Sequence, residues 1–241
     1  MCSIKNIIKY FENGNVCITG LRGTGKDMLI SNVVVRRDKP YVSNIDYTNG
    51  VNYQLLDFDN LDLGKNDYKN FISNDLNYYE MPYILGSDIY ISDVGVYFPS
   101  QYCGELNKRY QYFAFLQALT RQVSHNNIHF NVQNLNRCWD KIREQSDIYI
   151  RCNWCKVILG FVIQSITIYD KYESCVNRVK PCRITIPLFA DKNTKQQSKM
   201  YLDNFINQHG TIKTRLLIYK NKSSYDTYYF EKMLKGGKIY D

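Results

Sequence analysis

An α/β fold, a three-layer sandwich around a mostly parallel sheet with a small β-rich appendage toward the C-terminus, is predicted by three features of the 241-residue sequence. A β-branched run, Val16 to Thr19, leads through a glycine-rich turn into an apolar stretch with helical spacing. Strand-like and helix-like segments then alternate as far as residue 152. Among them, "IYISD" is an apolar strand that closes on an acidic tip, Asp93.

Taken in order, residues 4 to 12 carry the spacing of a short amphipathic helix, ended by Asn13 and Gly14. The turn "GLRGTGKD" follows the first core strand. "KDMLISNVVVRR" then reads as a helix closing on Arg36 and Arg37, charges that suit a helix C-terminus. "KPYVSNIDY" reads as a second strand. Residues 49 to 82, rich in Asn, Asp and Tyr, read as loops with a helix around "DYKNFISNDL". After the strand ending at Asp93, apolar residues at 112, 113, 115, 116, 119 and 123 form a helical stripe. "NIHFNVQN" alternates as a strand with Gln133 at its carboxyl end, "DKIREQSD" makes a short charged helix, and "IYIRC" is a further strand. "VILGFVIQSITIY" reads as a hairpin arm, residues 191 to 200 as a polar loop or helix start, and "TRLLIYK" as a last strand before a tail. These segments divide the chain into a core over 1–152, a hairpin-like appendage over 153–190 and a closing helix and strand over 191–241.

Composition excludes several classes. With 44% hydrophobic and 22% charged residues the chain is not disordered, despite its 22 tyrosines. No apolar run reaches the 18 or so residues that a membrane-spanning helix needs, and the N-terminus has no secretory pattern. A cytosolic chain is expected. The net charge of +8 suits either an anionic partner such as nucleic acid or an ordinary solvated surface. Eight cysteines in such a chain are expected to stay reduced, although Cys152-x-x-Cys155 followed by Cys175 and Cys182 leaves a zinc site open.

The chemistry concentrates in the glycine turn. Gly20, Gly25 and Lys26 fit G-x-x-x-x-G-K-[ST], except that Asp27 stands where a hydroxyl is required. Gly20 opens the turn, the amides of Gly23 to Lys26 would cradle β- and γ-phosphates, and Lys26 would neutralise them. Arg22, Thr24 and Met28 complete the expected nucleotide contacts. In an open parallel sheet ligands sit beyond the carboxyl ends of the strands, so Asp93 and Gln133 would both face this loop. Asp93, with Asp27, would then hold a magnesium ion. Asp27 is equally readable as a first-turn helix charge.

The succession "GLRGTGKD", "KPYVSNIDY", "YISDVGVYFPSQ", "ALTRQVSHNNIHFNVQN", "WDKIREQSDIYIRC" and "LLIYKNKSSYDT" resembles the zonula occludens toxin family of P-loop ATPases. That family includes the gene I-type assembly proteins of filamentous phages and is related to viral genome-packaging ATPases. The resemblance spans roughly residues 15 to 152, with a fainter echo near 216 to 227. It implies a RecA-like (ASCE) P-loop core and a ring-forming, ATP- and Mg2+-dependent motor that moves DNA during virus assembly. It also implies that Asp93 is the Walker B acid, Gln133 a polar sensor of the γ-phosphate, and Arg143 an arginine finger reaching a neighbouring subunit, with Arg109 and Arg121 as competitors.

Two departures bear on hydrolysis. Where the family pattern has Glu after the Walker B Asp, this chain has Val94, leaving Glu105 or Asp88 as substitutes for the water-polarising carboxylate. Asp27 is the other, since a carboxylate there binds metal strongly yet repels phosphates. The chain also lacks the spanning helix of the family's membrane-anchored members, which points to a motor docked on a capsid portal or other virion assembly protein in the host cytoplasm. Lys171, Arg178, Lys180 and Arg183, with tyrosines among them, would line a path for duplex DNA or simply coat a solvated hairpin. Three functions are open: a DNA-translocating ATPase of genome packaging, a nucleotide-bound scaffold subunit with a degenerate loop, and a nucleotide kinase.

Overall fold

Ser3 caps the first helix, its Oγ accepting from the Lys5 amide at 3.3 Å, and Ile4, Ile7 and Phe11 bury one face of α1 (Ile4–Asn13). In this computed structural model, which describes residues 3–55, 87–98, 100, 127–144, 146–187 and 189–223, the chain continues through β1 (Val16–Thr19) and α2 (Lys26–Arg37) to two short strands. These are β2 (Tyr41–Ser43) and β3 (Tyr53–Leu55). Next come β4 (Asp88–Ile91), a single turn α3 (Val94–Tyr97) and β5 (Ile128–Val132). The short α4 (Asp140–Arg143) precedes a long hairpin, β6 (Ile148–Ile158) and β7 (Phe161–Tyr169). The chain then forms α5 (Tyr172–Val176), α6 (Lys192–His209) and β8 (Ile212–Lys220). The helical stripe expected over 112–123, Glu105, Arg109, Arg121 and the segment "DYKNFISNDL" lie outside the described residues.

The eight strands form one sheet in the order β3-β2-β4-β5-β1-β6-β7-β8, parallel from β3 to β6, with β7 and β8 antiparallel at one edge. β5 therefore stands between β1 and β4, which sets the carboxyl ends of these three strands side by side. Helices α1 and α2 cover one face through Ile7, Leu29, Ile30 and Val33 against Ile18 and Ile150. On the opposite face Cys17, Ile91, Phe130, Val94 and Phe98 form a second core. Alternation in β1, with Ile18 on one side and Cys17 on the other, is what a strand buried on both faces requires.

The boundary expected between residues 152 and 153 falls inside β6. That strand pairs with β1 over Ile148–Arg151 and runs on against β7 to Ile158, so the hairpin extends the main sheet and is no separate appendage. Its two-residue turn puts Leu159 at φ 50° and Gly160 at φ 76°, the paired left-handed geometry that matches the twist of a tight hairpin. The stretch beginning at residue 191 is a full helix, capped by Asp191, whose carboxylate accepts from the Thr194 amide at 2.8 Å. None of the side chains of α6 is buried, and its C-terminal end is tied down by Lys171 and Ser174 donating to the carbonyls of Asn207 and His209. Among the described residues no helix is long and apolar enough to cross a membrane.

His129 lies wholly inside, its ring 4.8 Å from those of Phe11 and Tyr90 and its Nδ1 accepting from the Val16 amide at 3.3 Å. Burial, with Arg37 adding to it, holds its pKa well below the ordinary value. The unfolded chain therefore takes up a proton below about pH 6.5 that the folded chain refuses, and stability falls as pH drops, by at most about 1.4 kcal/mol per pH unit. Asp88, raised by burial against the pull of Arg37, works in the opposite direction. His129→Phe keeps the ring stack and is expected to remove the destabilising slope in urea denaturation between about pH 7 and 5.

Candidate functional site

The loop between β1 and α2 is closed largely on itself. The amide and Oγ1 of Thr24 donate to the Leu21 carbonyl at 3.3 and 2.7 Å, and Lys26 Nζ donates to the carbonyls of Gly20 (3.1 Å) and Leu21 (3.3 Å). Lys26 is only 6% exposed. Gly25, at φ 84°, precedes α2, and a Cβ there would lie 2.6 Å from Cβ of Cys155. At Gly20 a Cβ would meet the Cys152 carbonyl at 2.5 Å. Both positions accept only glycine, because β6 backs directly onto the loop.

The floor of the loop is a residue that the motif reading did not single out. Gln164, in the middle of β7 and fully buried, donates from Nε2 to the carbonyls of Thr24 (3.1 Å) and Gly25 (2.9 Å), while its Oε1 accepts from Tyr219 of β8 at 3.1 Å. The one signal available was a lone amide in a strand rich in β-branched and aromatic residues.

Asp27 opens α2 facing the tips of β4 and β5. Its Oδ1 accepts from Ser92 Oγ at 2.9 Å and from Asn131 Nδ2 at 2.7 Å. Asn131 also reaches Ser92 Oγ at 3.2 Å and accepts from the Asp93 amide at 2.8 Å. Asn44, just past β2, grips the Ser92 backbone on both sides, accepting from its amide at 2.8 Å and donating to its carbonyl at 3.0 Å. Asp93 itself sits at φ 48°, and its carboxyl is raised by burial and then by the nearby Asp27, against the opposing pull of Lys26. Thus Asp93 lies within electrostatic reach of both Asp27 and Lys26, while Asn44, Ser92 and Asn131 hold Asp27 and the backbone at the tip of β4 in place.

The other expected residues are distributed as follows. Arg22 and Gly23 are exposed on the outer rim of the loop, and Met28 packs partly into the core under α2. Gln133 is exposed just beyond β5, where it lines a cavity of about 190 Å³ with Thr19, Leu21, Asn134, Arg151 and Arg178. Among the described residues no acidic side chain lines that cavity, which favours an anion. Arg143 is engaged within its own chain: it donates to the carbonyls of Leu135 (3.3 Å) and Cys138 (3.4 Å) and lies 5.2 Å over the Tyr172 ring. Asp88 does not substitute for the water-polarising carboxylate. It lies at the amino end of β4, away from the loop, in an ion pair with Arg37.

The zinc site does not form. A bulge between Cys152 and Trp154 puts Cys152 and Cys155 on the same face of the sheet, whereas Cys175 belongs to the core on the opposite face. Burial pushes the thiols of Cys152 and Cys175 up to about 12, so they stay protonated. Among the described residues no cluster of three or more His, Cys, Asp or Glu side chains is placed to hold a metal. A magnesium ion beside a nucleotide needs fewer: one or two carboxylates and the phosphates satisfy it, and the oxygen donors that meet at the loop, Asp27 and Ser92, fit that demand.

Strand order, loop and helix together define an α/β P-loop NTPase fold. No family model matches the chain, and no curated protein matches it in sequence. Among solved structures it is similar to the N-terminal domain of zonular occludens toxin from Neisseria meningitidis, at 12% identity over 76% of this chain and 97% of that one, with a TM-score of 0.45. It is similar also to the genome packaging NTPase B204 of Sulfolobus turreted icosahedral virus 2 in complex with AMP, at 14% identity over 74% and 99% of the two chains, with a TM-score of 0.41. The ATP-gammaS complex of B204 matches at 12% identity over 87% and 93%, with a TM-score of 0.38.

Proposed function

We propose that the chain is an ATP-hydrolysing motor that drives DNA into a virus particle, acting as a homo-oligomeric ring on a capsid portal or other assembly protein in the host cytoplasm. The observation that carries the enzymatic part is the gathering of Lys26, Asp27 and Asp93 around the glycine loop between β1 and α2, beside the tip of β4. Lys26 gives up the carbonyls of Gly20 and Leu21 to neutralise the β- and γ-phosphates. Magnesium, when bound, spreads the remaining charge of the phosphate oxygens. Gln133 and Arg151 line a cavity beside Thr19 and Leu21, at the start of the loop, and there an amide and a guanidinium would serve the γ-phosphate. The viral role is supported by the succession of motifs along the sequence, and the DNA role by the net charge of +8.

Phosphate release from ATP, followed with and without duplex DNA, tests the proposal. Release is expected to rise with duplex and to lose that stimulation steeply as salt is raised. Nucleotide binding without release under any condition would make the chain a scaffold subunit. Transfer of the phosphate to a nucleoside monophosphate would make it a kinase.

A further inference from the structure

We propose that the hydroxyl and the carboxylate that flank a loop-bound divalent cation have exchanged places in this chain, Asp27 supplying the carboxylate from α2 and Ser92 the hydroxyl from the tip of β4. The inference rests on reading the loop as an ATP site. In P-loop sites the position after the lysine gives a neutral hydroxyl to the cation and the neighbouring strand gives an acid. Taken singly, both positions here are anomalous. Asp27 adds a negative charge beside the phosphates, and Ser92 leaves the position directly after β4 without one. Taken together they restore one carboxylate and one hydroxyl, with the same total charge.

The geometry identifies Ser92, and not Asp93, as the counterpart of Asp27. Ser92 Oγ donates to Asp27 Oδ1 at 2.9 Å across the gap between β4 and α2. Ser92 is fixed there, 1% exposed, with Asn44 holding its backbone and Asn131 bridging both members of the pair. Among the described residues Asp27 forms no ion pair, so its charge is left for a cation. Asp93 falls one residue beyond the cation-facing position, on a left-handed turn of the backbone at φ 48°. There it can take a proton from a water as that water's oxygen bonds to the γ-phosphorus and the bridging oxygen leaves with ADP, keeping the electron pair of the broken bond. Asp93 would thereby supply the carboxylate that Val94 lacks.

The test is a charge-exchange cycle on the full chain with Asp27→Ser, Ser92→Asp and the two combined. Mn2+ affinity is read by the loss of the free-ion electron paramagnetic resonance signal in the presence of a non-hydrolysable ATP analogue, and nucleotide affinity is read separately in a chelator. Asp27→Ser is expected to weaken Mn2+ by at least about tenfold, and adding Ser92→Asp to it to return the affinity to within about threefold of the parent. Ser92→Asp alone, which sets two carboxylates beside the phosphates, is expected to keep Mn2+ and to weaken the nucleotide in the chelator. Asp27→Asn, which keeps the side-chain shape, should show the same Mn2+ loss as Asp27→Ser and remains readable if the Ser92→Asp variants do not fold. A double variant that binds Mn2+ no better than Asp27→Ser, or an unchanged Mn2+ affinity in Asp27→Asn, would overturn the exchange while leaving the parent's nucleotide binding in the chelator intact. A parent protein that ignores the nucleotide in the chelator would overturn the ATP-site reading itself.

Discussion

Lys26→Met is expected to reduce ATP turnover on the order of 10²–10³-fold, the loss typical when one preorganised donor to a developing anion is removed. The argument starts from where the ammonium rests. It is 6% exposed and hydrogen-bonded to two neutral carbonyls of its own loop. Phosphate oxygens compete for such a partner, because their negative charge adds a Coulomb attraction to the ammonium that neutral carbonyl oxygens lack. The free protein should hardly notice the change: a buried charge gives up hydration that two carbonyls only partly replace, and methionine fills the same volume without that penalty. Thermal denaturation of Lys26→Met is therefore expected to match or exceed the parent, while phosphate release collapses. Release that survives the substitution would place the chemistry away from this loop.

The same loop shows what a sequence discloses and what it hides. β1, the glycine turn and α2 were legible because their determinants are local: a β-branched run, glycines at positive φ, and apolar residues at helical spacing within one window. The cation-facing pair was not, because Asp27 and Ser92 lie 65 residues apart and each looks like a defect until the other is beside it. Gln164 was visible only as a polar interruption of an apolar run, and its partners Thr24 and Gly25 are 140 and 139 residues away. Pairing between distant strands likewise decides that the β6–β7 hairpin extends the main sheet. The cysteines mislead for a related reason. Spacing alone does not reveal a bulge, and the bulge after Cys152 sets which face Cys155 occupies.

Gln164→Leu is expected to destabilise the fold by roughly 2–5 kcal/mol and to weaken nucleotide binding as well. Leucine fills nearly the same space but leaves the Thr24 carbonyl and the Tyr219 hydroxyl facing an apolar side chain, while the Gly25 carbonyl keeps the Leu29 amide. Each buried group left without its partner costs about 1–3 kcal/mol. Tyr219→Phe separates the two effects. It removes the hydroxyl that donates to Gln164 Oε1 but leaves the amide bonded to Thr24 and Gly25. That variant is expected to cost about 1 kcal/mol and to keep the parent's affinity for an ATP analogue. In Gln164→Leu the Thr24 carbonyl is released while that of Gly25 keeps only the Leu29 amide, so the peptide plane that aims the Gly25 amide at phosphate is no longer fixed, and the affinity is expected to drop about tenfold. Urea denaturation with calorimetric titration of the analogue distinguishes the outcomes. A loss of stability in Gln164→Leu with affinity unchanged would mean that β7 merely supports the loop's fold; a loss of both would mean that the antiparallel edge of the sheet sets the geometry of the phosphate cradle.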